Sequence, residues 1–245
     1  VLAPINLLLR HRPEQLGLRP DGDAHPQAAA PGTPAPRSNV VDHAWAATDW
    51  TLARALRTTR FWWMAIAYFG GLFVWYAIQV HQTKYLVETG FDTTDAAWAL
   101  GAVSLAGVPG QILLGHLSDR FGREIVWAIG CLGFLVTYVA LLLLDAHPSP
   151  ALLYLMVIAQ GALGYGMTSV FGAIPAEIFE GRHYGSIFGT LMLAAIGGGA
   201  VGPWVTGIVY DRTGSYTTAW WIAITVCVVS AFAMWRAAPG KVRMV

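Results

Sequence analysis

A short segment at residues 115–124, GHLSDRFGRE, concentrates charge in an otherwise apolar part of the chain. Its charged residues are Asp119, Arg120, Arg123 and Glu124. Residues 97–114 before it and 125–144 after it contain no Asp, Glu, Lys or Arg. Carboxylate and guanidinium groups this close in sequence can form charge-assisted hydrogen bonds with each other and with neighbouring segments. We therefore interpret 115–124 as a tight polar loop between two apolar elements.

The two glycines and the acidic side chain of this loop suggest how it would act. Gly115 has no side chain and would allow neighbouring helices to approach each other closely. Gly122 follows Asp119 and Arg120 on the other side of the loop. Asp119 is expected to accept hydrogen bonds from a helix N-terminus, where the helix dipole is positive. These features favour a role beyond keeping the loop in water.

A later segment, PAEIFEGRHYG, supplies possible partners for the two arginines. Its charged residues are Glu177, Glu180 and Arg182. Arg120 and Arg123 can form ion pairs with these carboxylates. We call this set of ion pairs the clasp, and we expect it to form in one conformation and break in another. The alternative is that the charges only anchor the loop in water and fix its orientation.

Polar side chains near the end of the first apolar segment form a candidate binding face. The stretch IQVHQTKYL contains Gln79, His81, Gln82 and Tyr85. Positions 78, 81, 82 and 85 share one face of a helix, so the last three of these residues are expected to converge on a cavity. His81 is a candidate for proton exchange, since histidine titrates near physiological pH. Alternatively, His81 lies at the membrane interface and bonds lipid headgroups or loop backbone.

Three further polar residues occur within apolar segments: Gln111, Gln160 and Tyr165. Their amides and phenol can hydrogen-bond a carboxylate or carbonyl of a solute, and polar groups inside such segments often mark a solute pathway. The alternative is that each makes a structural bond between helices. The middle of every apolar segment is free of Asp, Glu, Lys and Arg.

The elements that must position these residues are six long apolar segments. They cover residues 61–82, 94–114, 125–144, 151–173, 186–209 and 217–236. Segments of about 20 apolar residues match the hydrocarbon thickness of a bilayer, and only helices satisfy their backbone there without a closed barrel. Charged residues make up 12% of the chain, about half the share in soluble domains, and mean hydropathy is +0.51. The sequence predicts an all-α membrane protein with six transmembrane helices in a lipid bilayer.

Small residues recur at four-residue spacing in the fifth segment. They are Gly185, Gly189, Ala194, Gly198 and Gly202. Such spacing allows helices in lipid to approach closely. We expect these residues to form a packing face.

Composition and motifs also argue against several other functions. The formal net charge of +1 does not predict a nucleic-acid partner. Cys131 and Cys227 lie in apolar segments without ligand spacing, so we expect no metal site and no cofactor. The intramembrane hydrolase motifs HExxH and GxSxG do not occur, and we expect no enzyme activity.

The remainder of the chain is divided as follows. Residues 1–9 are interpreted as the end of a preceding transmembrane helix, and 10–41, rich in Pro, Ala and charge, as a flexible cytoplasmic linker. Residues 42–60 are predicted to form an amphipathic surface helix. The six-helix bundle then spans 61–236, and 237–245 is expected to be a cytoplasmic tail.

Basic residues are distributed unequally between the two sides of this bundle. If the linker is cytoplasmic, only Lys84 and Arg212 of the 15 Lys and Arg lie on the opposite side. Cytoplasmic loops carry the excess of Lys and Arg. We therefore predict that both ends are cytoplasmic, most naturally in a bacterial inner (plasma) membrane.

The charged loop also resembles a known family signature. GHLSDRFGR is similar to the GxxxDRxGR loop that follows the second helix of each half in major facilitator superfamily transporters, and here too it follows a second helix. Two weaker likenesses are RHRPEQLGLRPDG at 10–22, which resembles the linker between halves, and GIVYDRTGSY at 207–216, which resembles organic-anion and monocarboxylate-porter-like members. The resemblance implies the C-terminal half of a twelve-helix major facilitator fold.

This resemblance in turn implies a function and partners. The chain would be half of a secondary transporter that moves a small organic solute, a monocarboxylate or other organic anion, by alternating access together with its N-terminal six-helix half. Several organic-anion members use a basic residue within their C-terminal helices, and the second and fifth segments here have none. Either the missing half supplies the counter-charge or the solute is neutral or weakly charged. The alternative function is a truncated, non-transporting membrane module for assembly or sensing.

Overall fold

The computed structural model describes residues 40–237 and 239–242. All of these described residues belong to one compact unit. The predicted helix end at 1–9 and almost all of the predicted linker at 10–41 lie outside the described residues, as does part of the predicted tail.

The segment before the first span does not form the single amphipathic helix predicted for 42–60. It forms two short helices, α1 (His43–Ala46) and α2 (Leu52–Ala55). Each of these helices, and the long helix that follows, begins after an N-cap residue. The side-chain oxygen of that residue accepts a hydrogen bond from the backbone N–H group three residues later. These caps are Asp42, Thr51 and Thr58. The prediction was wrong because three successive N-caps start three separate helices.

Six helical segments are long and apolar enough to cross a membrane, which confirms the predicted all-α fold with six spans. They are α3 (Thr59–Glu88), α4 (Thr93–Phe121), α5 (Arg123–Ala146), a fourth span at Pro150–Ile178 that includes α6 (Pro150–Ile158) and α7 (Ala173–Ile178), α8 (Tyr184–Thr213) and α9 (Thr217–Ala237). Even the shortest of these reaches the hydrocarbon thickness of about 30 Å.

The charged segment 115–124 is mostly helical rather than a loop. Helix α4 continues through Phe121, and α5 begins at Arg123. Gly122 alone separates them, with φ of 101°, a backbone conformation that glycine adopts without steric cost. The loop prediction was wrong because charged side chains outside the apolar layer do not end a helix, whereas this glycine does.

Helix α3 is central in the bundle and packs along both α8 and α9. A Cβ atom added to Gly198 would lie 1.9 Å from the carbonyl oxygen of Phe69, and one added to Gly202 would lie 2.4 Å from that of Phe73. The backbones of α3 and α8 therefore touch, as the small-residue spacing predicts. Gly185 and Gly189 have nothing within 4 Å of such an atom, so the packing face does not extend to them.

The fourth span is irregular in its middle and packs closely against two helices. A π-helical turn at Ala159–Leu163 leads into a 3₁₀ segment at Gly164–Val170. A Cβ atom added to Gly161 would lie 2.4 Å from the backbone oxygen of Val103 in α4. A Cβ atom added to Gly133 of α5 would lie 2.5 Å from the backbone nitrogen of Gly164. Such irregular turns within helices occur frequently at functional sites.

Buried hydroxyl and indole groups in the bundle bond across helices. The Ser230 hydroxyl of α9 donates to the Ala67 carbonyl of α3 at 2.7 Å, and the Trp127 indole of α5 donates to that hydroxyl at 3.2 Å. These bonds join three spans and satisfy polar groups that would be costly in lipid. They fix the positions of α3, α5 and α9 relative to one another.

Candidate functional site: a charged cluster and an aromatic cleft

The charged cluster at the α4–α5 junction is centred on Arg123. Its guanidinium donates from Nε to Glu177 Oε1 at 2.8 Å and from Nη1 to Asp119 Oδ1 at 2.6 Å, and it also contacts the Ser118 hydroxyl. The side chains of Arg123 and Glu177 are each only 15% exposed, whereas that of Asp119 is 59% exposed. Glu177 belongs to α7, so this cluster ties the end of the fourth span to the α4–α5 junction.

The other predicted members of the clasp lie outside this cluster. Arg120 and Arg182 are exposed. Asp119 accepts from the Arg123 side chain and does not cap a helix, since α5 has no side-chain N-cap. The expected capping role is therefore wrong, because α4 extends past Asp119. A Cβ at Gly115 would meet Ser169 Cβ at an ordinary 3.5 Å, so close helix approach does not require this glycine.

The polar face predicted on α3 does not converge on a cavity. Gln82 is fully buried, and its amide has no hydrogen-bond partner among the described residues. Tyr85 is also buried and donates to the Leu141 carbonyl of α5. This prediction was wrong because the face through positions 78, 82 and 85 of α3 packs into the bundle.

His81 lies beside that face and bonds two other elements. Its Nε2 is 3.1 Å from the Pro203 carbonyl of α8, and its Nδ1 is 3.2 Å from the Tyr216 hydroxyl. A carbonyl only accepts, so Nε2 carries a proton, and in neutral His81 the Nδ1 accepts from Tyr216. Burial and the carboxylate of Glu88 raise the pKa of Tyr216 to about 12, which keeps its hydroxyl protonated. His81 thus bonds a side chain and a backbone carbonyl of the protein.

A second face of α3 borders an open apolar cleft. This aromatic cleft has a volume of about 280 Å³ and is lined by Leu72, Trp75, Tyr76, Thr168, Phe171 and Met192. These residues come from α3, the fourth span and α8. Such a concave, mainly apolar surface with few polar groups is typical of a site for a small organic molecule.

Polar groups adjoin the cleft at Trp75. The Trp75 ring stacks on Tyr165 with centroids 3.9 Å apart, and the Tyr165 hydroxyl donates to the side-chain oxygen of Gln79. The amide of Gln160 lies near that hydroxyl but is buried without a hydrogen-bond partner among the described residues. The structure therefore brings together three of the predicted site residues, Gln79, Gln160 and Tyr165, next to the aromatic cleft.

Gln111 is the remaining predicted site residue, and it is partly exposed on α4, a helix that does not line the cleft. Among the described residues no group of three or more His, Cys, Asp or Glu is arranged to hold a metal ion. Cys131 and Cys227 are free and buried.

Sequence reasoning missed the aromatic lining of the cleft, although a signal for it exists. Positions 72, 75, 76 and 79 have the i, i+3, i+4, i+7 spacing of one helix face. That face carries two aromatic residues and an amide, but aromatic residues are equally common in cores. Only the packing of α3 shows that this face is open.

Comparisons with known proteins match this chain to one family. The sequence model of the Major Facilitator Superfamily matches residues 1–146 and 64–243. The chain is 30% identical over 155 residues to the glycerol-3-phosphate transporter of Bacillus subtilis, covering 62% of this chain and 35% of that protein. It is 27% identical over 145 residues to monocarboxylate transporter 13 of Rattus norvegicus, covering 59% and 33%.

A solved structure shows the same fold. The fucose:proton symporter of E. coli superposes with a TM-score of 0.63 at 18% sequence identity, over 80% of this chain and 47% of that one. The chain spans about a third of the length of the curated relatives it matches and about half of this structural neighbour.

Proposed function

Because the chain belongs to the major facilitator superfamily, we propose that it is the C-terminal half of a secondary active transporter that moves a small organic solute by alternating access. The fraction of each relative that it covers and its six spans support this assignment. The N-terminal six-helix half would be its partner in the same transporter, with solute bound between the halves.

The aromatic cleft with its Gln79–Tyr165 pair is the observation that carries the proposal. Stacked rings would hold the apolar body of a solute, and the amide and phenol would orient a carboxylate or carbonyl. A monocarboxylate or similar organic anion fits this lining, and one relative is named monocarboxylate transporter 13. The six cleft residues carry no charge, so the N-terminal half would supply the positive counter-charge.

The fourth span offers a route from the cleft to the charged cluster. It carries Tyr165 in its 3₁₀ segment and Glu177 in α7, and Glu177 bonds Arg123. Reorganisation of this span on solute binding would change the geometry of that ion pair. The charged cluster would thus act as a clasp whose formation and release accompany the change in access.

Flux measurements in proteoliposomes test the proposal. The chain is reconstituted with and without its N-terminal half and assayed with labelled small carboxylates, amides and sugars. We expect uptake of a carboxylate only when both halves are present. Absence of flux for every solute with both halves present would instead favour a non-transporting membrane module.

Two cleft variants locate the site. Trp75→Ala and Tyr165→Phe are expected to lower uptake at limiting solute concentration, by about tenfold where a stacking or hydrogen-bonding contact is lost. Trp221→Ala is the matched control, since Trp221 is 57% exposed on α9 and away from the cleft residues. Equal effects of all three variants would contradict the assignment of the cleft.

A further inference from the structure

A second cavity lies between the beginning of α3, the beginning of α5 and the end of α9. It has a volume of about 460 Å³, and its lining includes Arg60, Trp63, Glu124, Trp235, Arg236 and Lys241. None of these residues lines the aromatic cleft. The basic cavity, as we call it, is therefore a separate site.

The lining carries three cations and one carboxylate. Arg60, Arg236 and Lys241 give it a formal excess of two positive charges over Glu124. The Nη1 atom of Arg60 and the Oε2 atom of Glu124 are both buried and have no hydrogen-bond partner among the described residues. Unpaired buried groups of opposite sign are costly, and a ligand that accepts from Arg60 and donates to Glu124 would lower this cost.

Two of the guanidinium groups lie over tryptophan rings. Arg60 lies over the Trp45 ring at 4.4 Å from its centroid, and Arg236 over the Trp63 ring at 5.7 Å. A cation–π contact uses the flat face of a guanidinium, while its N–H donors point outward in the plane. Guanidinium N–H groups are suited to binding a multivalent oxygen anion such as phosphate.

The cavity also lies at the level of the membrane interface. Arg60 is the second residue of α3, and Arg236 is the penultimate residue of α9. Trp235 is 61% exposed and Phe232, one turn deeper on α9, is 57% exposed. Tryptophan concentrates at the headgroup level, and exposed apolar side chains next to it provide a surface for acyl chains.

From this arrangement we propose that the basic cavity binds the phosphate of an anionic membrane phospholipid whose headgroup carries a hydroxyl. The phosphate accepts from Arg60, Arg236 and Lys241, and the hydroxyl donates to Glu124. The acyl chains then follow the exposed apolar surface of α9 beside Trp235. Basic pockets between transmembrane helices are physically suited to such headgroups.

Thermal unfolding of the purified chain in neutral detergent tests this site. The probes are short-chain phosphatidylglycerol, short-chain phosphatidylcholine and inorganic phosphate. We expect saturable stabilisation by phosphatidylglycerol and little change with the other two, since binding to the folded state raises the unfolding temperature. Equal stabilisation by phosphatidylcholine, or full stabilisation by inorganic phosphate alone, would overturn the proposal.

Variants assign the effect to the cavity. Arg60→Gln and Lys241→Gln are each expected to weaken the apparent affinity for phosphatidylglycerol by about fivefold. Arg57→Gln is the control, because Arg57 is exposed at the same end and outside the cavity. Lys241 is itself exposed, so its variant remains informative if Arg60→Gln does not fold. An unchanged affinity in Lys241→Gln, or an equal loss in Arg57→Gln, would contradict the site.

Discussion

At the scale of single residues, Arg123 connects three segments of the chain with one guanidinium. It bonds Asp119 in α4 and Glu177 in α7 and itself starts α5. The two ion pairs differ in exposure, since Glu177 is largely shielded and Asp119 is open to solvent. Shielded charge-assisted bonds contribute more to stability than exposed pairs.

This difference predicts unequal effects of neutralising the two acids. Glu177→Gln should lower the free energy of unfolding by about 1–2 kcal/mol, because a charged acceptor is replaced by a neutral one. Asp119→Asn should lower it by less than about 0.5 kcal/mol, because its pair with Arg123 is exposed. Denaturation in detergent measures both, and a larger loss for Asp119→Asn would contradict the geometry.

The clasp role makes a separate prediction about transport. In the complete transporter, Asp119→Asn should lower flux while expression and membrane insertion stay near normal. The reason is that, in the proposed clasp, gating would depend on the charge network even where stability does not. Unchanged flux would indicate that the charges of this segment only anchor it in water and fix its orientation.

A second residue-scale prediction concerns His81. If it carries a proton during transport, His81→Gln should flatten the pH dependence of uptake. Tyr216→Phe is the matched comparison, because it removes the bond to Nδ1 but keeps the imidazole. An unaltered pH profile in His81→Gln would show that its bonds to Pro203 and Tyr216 are structural.

At the scale of elements, the contact between α3 and α8 depends on glycine. The Gly198 and Gly202 positions bring the two backbones together at Phe69 and Phe73. Close approach of this kind gains van der Waals contact, which is a main source of helix association in lipid. The same helix carries Gly189, where the space is open.

These two environments predict opposite outcomes for one substitution. Gly198→Ala should destabilise the bundle by about 1–3 kcal/mol or more, because its Cβ overlaps the Phe69 carbonyl oxygen and the helices must separate. Gly189→Ala should be neutral or stabilise by up to about 1 kcal/mol, since alanine favours the helix. Thermal unfolding of both variants in one detergent gives the comparison, and equal losses would refute the backbone contact.

At the scale of the whole molecule, the two ends of the bundle differ in charge. Among the described residues, the end with the Arg123 cluster carries the basic residues Arg54, Arg57, Arg60, Arg120, Arg123, Arg182, Arg236 and Lys241. The opposite end carries Lys84 and Arg212. The positive-inside rule would place the first end in the cytoplasm.

Cysteine labelling in intact cells tests this orientation. Ser215→Cys, at the end with Lys84 and Arg212, should react with an impermeant maleimide. Arg182→Cys, at the end with the Arg123 cluster, should react only after the membrane is opened. Both positions are exposed, and the native Cys131 and Cys227 are buried and so should give little background. Labelling of Arg182→Cys from outside intact cells would show that the orientation is the reverse of the predicted one.

Much of this architecture follows from the sequence alone. The uncharged lengths of the six segments require helices in lipid, and the GxxxDRxGR pattern identifies the family, because both depend on residues close together in the chain. The pairing of Arg123 with a carboxylate near 177 was also foreseeable, since few charges exist to pair. These features are local or are limited to few partners.

Only the tertiary structure decided which faces of the helices are open. Gln82 and Tyr85 seemed suited to a cavity but pack inside, while Trp75 and Tyr76 seemed suited to a core but line the cleft. In a membrane bundle apolar residues occur both inside and outside, so hydrophobic periodicity does not distinguish the buried face from the exposed one. The open face is decided by the positions at which α8, α9 and the irregular fourth span pack against α3. Those contacts join residues far apart in the chain, such as Trp75 and Tyr165 or Phe69 and Gly198.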